Sequence, residues 1–75
     1  MARHRIMISQ IWRKMDGLPT LWQVERVTQD RSGHAHVILR RLDDLTTTRL
    51  IAAQGLEDSR LYRLEREPEP EVPKR

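Results

Sequence analysis

Apolar residues gather in two runs between Thr20 and Leu42, and a short polar break separates the runs. Both runs are rich in β-branched and aromatic residues, and the break is Arg31-Ser32-Gly33. Glycine accepts the left-handed conformation that a tight hairpin loop needs. The pattern therefore predicts a β-hairpin, with one strand over Thr20–Thr28 and the next over His34–Leu42.

The alternation of polar and apolar residues breaks inside the first strand of this hairpin. Trp22 and Val24 fall on one face, but two polar residues, Glu25 and Arg26, precede Val27. A β-bulge at these two residues returns Val27 to the face of Trp22 and Val24. Bulges of this kind help a short sheet to curl.

The second strand of the hairpin contains three consecutive apolar residues, so either of its faces could be the buried one. We favour the face of Ala35, Val37 and Leu39 as the inner one. The outer face then carries His36, Ile38 and Arg40.

Further strands are expected before and after the hairpin. The apolar run Ile6–Trp12 predicts a first strand, and Asp43–Thr46 predicts a turn because Asp side chains bind nearby backbone amides. The remaining elements are a fourth strand over Thr47–Ala53, a short 3₁₀ or helical turn over Gly55–Arg60 and a last strand over Leu61–Glu65.

A helix is an alternative for the segment Thr46–Leu64, because Leu50, Ala53 and Leu56 recur at helical spacing. Three consecutive threonines and Gly55 weigh against it, since β-branched residues and glycine weaken helices. As a strand, the same region would place Leu50 on one face and Ile51 on the other.

Length and composition limit the chain to one small domain of all-β class. The 75 residues include no cysteine and no phenylalanine, so the core depends on aliphatic side chains, two tryptophans and one tyrosine. Residues 1–5 form a flexible basic N-terminus, residues 6–66 form the domain, and the Pro- and Glu-rich residues 67–75 form a disordered tail. The predicted core is Ile11, Trp12, Trp22, Val24, Val27, Val37, Leu39, Leu50, Leu56, Tyr62 and Leu64.

Five short strands, a bulged second strand and a helical turn before the last strand resemble an SH3-like small β-barrel. The resemblance is carried by the segments Ile11-Trp12, Trp22 to Val27, His36 to Leu39, Leu50-Ile51 and Leu56 to Tyr62. It implies a five-stranded antiparallel barrel of the kind found in Tudor, KOW and bacterial SH3 domains. The motifs by which those families bind their ligands are not present, so the resemblance implies a fold and transfers no site residues.

A formal net charge of +3 makes nucleic acid a candidate partner, because clustered arginines neutralise phosphates. Acidic residues are interleaved throughout, so a mixed solvated surface is the competing interpretation. A protein-interaction or homo-oligomerising module with no nucleic-acid role is the alternative function. The candidate binding residues are Arg3, Arg5, Arg13, Lys14, Arg40 and Arg41.

The sequence gives little support for catalysis, for small-molecule binding or for a metal site. There is no cysteine nucleophile and no Gly-rich phosphate loop, and a domain this small is expected to lack the pocket of about 300 Å³ that small-molecule sites need. His34 and His36 share a strand face but have no third ligand at a typical metal-site spacing. We expect a cytoplasmic, non-enzymatic binding module with no cofactor, metal, small-molecule substrate or membrane partner.

Overall fold

The chain forms one five-stranded antiparallel sheet and a single helical turn, in a computed structural model that describes residues 6–68. The sheet order is β4-β3-β2-β1-β5, so four strands form a meander and β5 returns to pair with β1. The predicted all-β class is confirmed. Within residues 6–68, β4 and β5 are the two edges of the sheet. The elements are β1 (Ile11–Lys14), β2 (Thr20–Gln29), β3 (Ala35–Arg41), β4 (Thr48–Ala52), α1 (Ala53–Leu56) and β5 (Tyr62–Arg66).

The β2–β3 hairpin and its bulge form as the sequence predicts. Gly33 has a φ of 84°, the left-handed conformation that favours glycine. Asp30 Oδ1 accepts hydrogen bonds from the backbone N–H groups of Ser32 and His34, both at 2.9 Å, and so closes the loop. The ladder register shifts between Val24 and Arg26, which is where the bulge was expected.

The predicted first strand is misplaced, because β1 begins at Ile11 rather than Ile6. Ser9 has a φ of 78°, which no regular strand tolerates. The Ser9 N–H donates to the Val24 carbonyl at 2.8 Å, and the Gln10 carbonyl accepts from the Val24 N–H at 2.8 Å. The apolar residues before Ser9 therefore belong to a loop that leads into the sheet.

The core lies on one face of the sheet and is closed by α1. The face of β3 that we favoured is the buried one, since Val37 and Leu39 are fully buried. Four half-buried residues pack against this core, namely Ile6, Ile51, Ala53 and Leu64. The buried hydrophobic residues are Trp12, Trp22, Val24, Val37, Leu39, Leu56 and Tyr62.

The placement of Leu50 in the core is wrong. Leu50 is 63% exposed and lies opposite Ile38 on the other face of the sheet. Ile51 takes the inward position, because it lies opposite the fully buried Val37. The error arises because β4 is an edge strand with apolar residues on both faces, so its own sequence does not decide which face is buried.

Three other predicted core residues are also less buried than expected. Val27 lies opposite Val37, on the inner face as the bulge requires, yet it is 38% exposed near the tip of the hairpin. Ile11 is half-buried on the outer side, because its neighbour Trp12 takes the inner position. Leu64 is half-buried but does pack against the core.

The segment Thr46–Leu64 is not a continuous helix. It contains β4, the single turn α1 and the start of β5, and α1 begins at Ala53 rather than at the predicted Gly55. Leu56 is the one residue of α1 that is fully buried, so this turn caps the core.

A buried glutamine, Gln10, connects the loop before β1 to the residue that follows β5. Its Oε1 accepts from the Met7 N–H at 2.8 Å and from Trp12 Nε1–H at 3.2 Å, and its Nε2 donates to Glu67 Oε1 at 2.7 Å. Glu67 was assigned to the disordered tail, but this bond ties its side chain to the domain. The rest of the predicted tail from residue 69, and the predicted flexible residues 1–5, lie outside the described residues.

Candidate nucleic-acid interface

The face of the sheet opposite the core can be followed from strand to strand by the ladder register. Side chains alternate between faces along a strand, and directly paired residues of antiparallel strands share a face. Since Leu39 is buried, Arg40 points outward, as does its partner Gln23. Gln23 pairs with Ile11, which pairs in turn with Arg66.

We call this surface the outer face. Arg13, two residues after Ile11, lies on it and pairs with Arg63, while Arg26 pairs with the outward Ile38. Glu25 and Glu65 reach the same surface, because they bind Arg40 and Arg13 respectively. The arginines and glutamates of the outer face are Arg13, Glu25, Arg26, Arg40, Glu65, Arg63 and Arg66.

The structure separates the basic pairs that the sequence grouped together. Arg13 and Arg40 lie on the outer face, but their neighbours Lys14 and Arg41 lie on the other side. Arg41 lies opposite Trp22, and its guanidinium binds Asp43. The other two candidates, Arg3 and Arg5, lie outside the described residues.

Three arginines of the outer face were missed by sequence reasoning, namely Arg26, Arg63 and Arg66. Arg26 is the one arginine of β2, and Arg63 and Arg66 are three positions apart on β5, so no pair of adjacent basic residues marks them. The available signal was the bulge at Glu25-Arg26, which fixes the side to which Arg26 points. The placement of Arg63 and Arg66 required the pairing of β5 with β1, which the sequence did not reveal.

The outer face carries a formal charge of +3, from five arginines and two glutamates. Arg13 Nε donates to Glu65 Oε1 at 2.8 Å, and this hydrogen bond lowers the pKa of Glu65 and raises that of Arg13. Arg40 donates hydrogen bonds from Nε and Nη2 to Glu25 Oε1. Arg26 and Arg63 form no ion pair with any residue in the range 6–68.

Apolar side chains lie between these charges. Ile38 faces Leu50 across the β3–β4 ladder, and Leu50 is largely exposed. Ile11 and Leu21 are half-buried on the same face between β1 and β2. The outer face therefore combines arginines with partly exposed aliphatic side chains.

None of the chain's three aromatic rings is available on this face. Trp12 is 2% exposed, Trp22 3% and Tyr62 6%, as expected for rings that fill the core. Trp22 Nε1–H donates to Thr20 Oγ1 at 2.8 Å, and the Arg49 guanidinium lies 5.1 Å from the centre of the Trp22 ring, within cation–π range.

A groove of about 620 Å³ opens between the tip of the β2–β3 hairpin and α1. This volume is larger than the sequence led us to expect. Its polar lining is Asp30, His34, His36, Gln54 and Glu57. Within residues 6–68, the groove is therefore lined by carboxylates and imidazoles and by no arginine or lysine.

The histidines of this groove make only weak polar contacts. His34 Nδ1 lies 3.7 Å from Asp30 Oδ2, and His36 Nδ1 lies 3.3 Å from the His34 carbonyl oxygen. Among the described residues, no group of three metal-ligating side chains comes together.

Two further findings bear on the class of protein. No helix within residues 6–68 has the length and apolar character needed to span a membrane. Comparisons with family models, with curated proteins and with solved structures found no match to this chain.

Proposed function

We propose that the protein is a small, non-enzymatic module that binds nucleic acid through the phosphates, without sequence preference, using the outer face. The observation that carries the proposal is the formal charge of +3 on this one continuous surface. Nucleic acid is the partner that such a surface favours, because neutralising phosphates releases condensed counterions.

The arginines of the outer face differ in how readily they reach a phosphate. Arg26 and Arg63 have no carboxylate partner among the described residues, so they can bind a phosphate directly. Arg13 and Arg40 are held by exposed ion pairs, with side chains about 40% accessible. Exposed pairs of this kind contribute little stability, so a phosphate can compete with the glutamate.

The proposal is tested by titrating labelled nucleic acid with the protein over a range of salt concentrations. Binding should weaken linearly on a log–log plot, with a slope that reports the number of phosphates contacted. The variant Arg26→Gln/Arg63→Gln should reduce that slope by about two. The absence of binding at low salt would refute the proposal.

A matched control removes the same charge from elsewhere on the chain. Arg31 is in the hairpin loop and Arg60 is in the turn before β5, where it binds Asp58. The variant Arg31→Gln/Arg60→Gln has the same net charge as the test variant. Equal losses of affinity in the two variants would mean that overall charge, and not the outer face, attracts the nucleic acid.

We also propose that the fold is an SH3-like barrel and that the protein acts in the cytoplasm. Support for the barrel comes from the strand order β4-β3-β2-β1-β5, the bulge in the long β2 and the helical turn before β5. An experimental structure that shows how β4 and β5 approach each other would test the barrel. Fluorescence microscopy of the tagged protein would test the location.

Self-association is the second candidate function, and the β4 edge favours it. Within residues 6–68, Thr48–Ala52 pairs with β3 on one side and with no strand on the other; it contains no proline and carries the exposed Leu50. An edge of this kind is a template for strand addition. Sedimentation would detect a species heavier than the 8.9 kDa monomer, and the substitution Leu50→Lys should dissociate this species into monomers. A monomer at all concentrations would remove this candidate.

A further inference from the structure

We infer that the outer face prefers double-stranded nucleic acid to single strands. This inference rests on the proposed function and narrows its substrate class. Three observations carry it: the burial of every aromatic ring, the spread of the arginines over several strands, and the acidic lining of the groove.

The first observation concerns base stacking. Proteins that bind single strands without sequence preference stack the bases on exposed aromatic rings. Every aromatic residue of this chain lies within the described range, and each is at most 6% exposed. The tryptophan and tyrosine rings therefore offer unstacked bases no platform, whereas a duplex keeps its bases stacked within itself.

Arginine can also stack on a base through its guanidinium plane. The guanidinium groups of Arg13 and Arg40 are instead held by carboxylates, and Arg40 also donates to the Leu45 carbonyl. The Arg49 guanidinium lies over Trp22, on the inner side of the sheet. These contacts hold Arg13 and Arg40 as hydrogen-bond donors and Arg49 against a core ring, so these three guanidinium planes are not presented to a base.

The second observation concerns shape. The arginines extend from Arg63 on β5 to Arg40 on β3, which are three strand spacings apart. At about 4.8 Å per spacing, this distance is about 14 Å across the sheet. Arginines distributed over this width can contact both phosphate backbones of a duplex, whereas a single strand has only one backbone.

The third observation concerns the groove. Proteins that bind single strands usually do so in a positively charged groove that runs along the nucleic-acid backbone. Among the described residues, the lining of the groove beside the hairpin tip includes Asp30 and Glu57 and no arginine or lysine. Its carboxylates disfavour a phosphate chain, so the outer face remains the surface for binding.

The test compares a labelled DNA duplex, the matching RNA duplex and each separated strand at the same low salt concentration, by fluorescence anisotropy. We expect the better-bound duplex to bind at least about tenfold more tightly than either single strand, after correction for the number of phosphates. The two duplex arms distinguish DNA from RNA as the source of the phosphates.

The outcomes separate this inference from the proposed function. Single strands that bind as tightly as duplexes would overturn the inference and leave the proposed function standing. The absence of binding to any of the probes would overturn both. Arg26→Gln/Arg63→Gln should reduce the preference for duplex more than the matched Arg31→Gln/Arg60→Gln, and an unchanged preference in the first variant would also overturn the inference.

Discussion

The two faces of the same sheet are specified in different ways. On the inner face, Val37 and Leu39 are fully buried and contact the tryptophans and Leu56 of one core. On the outer face, Ile38 and Arg40 occupy the alternate positions of the same strand, beside exposed Leu50. Burial stabilises the first set, while the second is brought together only by the pairing of the strands.

This difference separates two kinds of constraint on the sequence. The buried inner positions must be apolar and of suitable size, since close packing makes even small volume changes costly. Outer positions are free of that requirement, so a concentration of arginines there is not explained by folding. Arg13 and Arg63 lie directly opposite each other, and like charges in that position destabilise a sheet.

The largest predicted effect is a difference in the free energy of unfolding between substitutions of two leucines on neighbouring strands. Leu39→Ala should lower the free energy of unfolding by about 3 kcal/mol, because it leaves a cavity in the core. Leu50→Ala should change it by less than about 0.5 kcal/mol, because the side chain is already largely in solvent. Chemical denaturation of both variants measures the difference, and similar losses would mean that the outer face is covered in solution.

An intermediate effect is expected at two glycines that differ in backbone conformation. Gly33 has a φ of +84°, whereas Gly55 lies in α1, and neither would bring an added Cβ within 4 Å of another group. Gly33→Ala should therefore cost about 1 kcal/mol through strain alone. Gly55→Ala should stabilise the protein by about 0.5 kcal/mol, because alanine loses less entropy on folding.

These two variants test the origin of the two faces, because the hairpin loop sets the register that assigns residues to each face. Thermal melts followed by circular dichroism give the sign of each change. If Gly33→Ala stabilised the protein as Gly55→Ala does, Gly33 would not need its left-handed conformation. The register of β2 and β3 would then lack its main local determinant.

Much of the inner face could be predicted from the sequence. The β2–β3 hairpin was visible because β-branched and aromatic runs flank a glycine, and the bulge followed from two polar residues between Val24 and Val27. Leu50 was misplaced because β4 is apolar on both faces. The burial of Gln10 was not predicted, because the sequence contains no signal that this polar side chain is buried. Its burial depends on hydrogen bonds to Met7, Trp12 and Glu67.

The candidate interface was only partly predictable, for a geometric reason. Adjacent basic residues such as Arg13-Lys14 look like a cluster in the sequence, but in a strand they point to opposite faces. Arg63 joins Arg13 only through pairing between residues about fifty positions apart in the chain. Local patterns therefore indicate which residues are basic, and the long-range register decides which of them share a surface.

The smallest predicted effect is a loss of stability in acid, from the turn that sets the β3–β4 register. Asp44 accepts hydrogen bonds from Thr46 Oγ1 at 2.6 Å, from Thr47 Oγ1 at 2.7 Å and from the Thr46 N–H at 3.2 Å. These bonds lower the pKa of Asp44 from its ordinary value of 3.8, and the bond from the Thr46 hydroxyl contributes most. A carboxyl group whose pKa is lower in the folded state stabilises the protein above its unfolded pKa, and this contribution is lost as the pH falls through the folded value. Between neutral pH and about pH 3, Asp44→Asn should therefore show a smaller drop in melting temperature than the parent protein, and Thr46→Ala, which keeps the carboxylate, should lie between them. If all three proteins lost stability equally on acidification, the turn would not hold the β4 edge in place through this carboxylate.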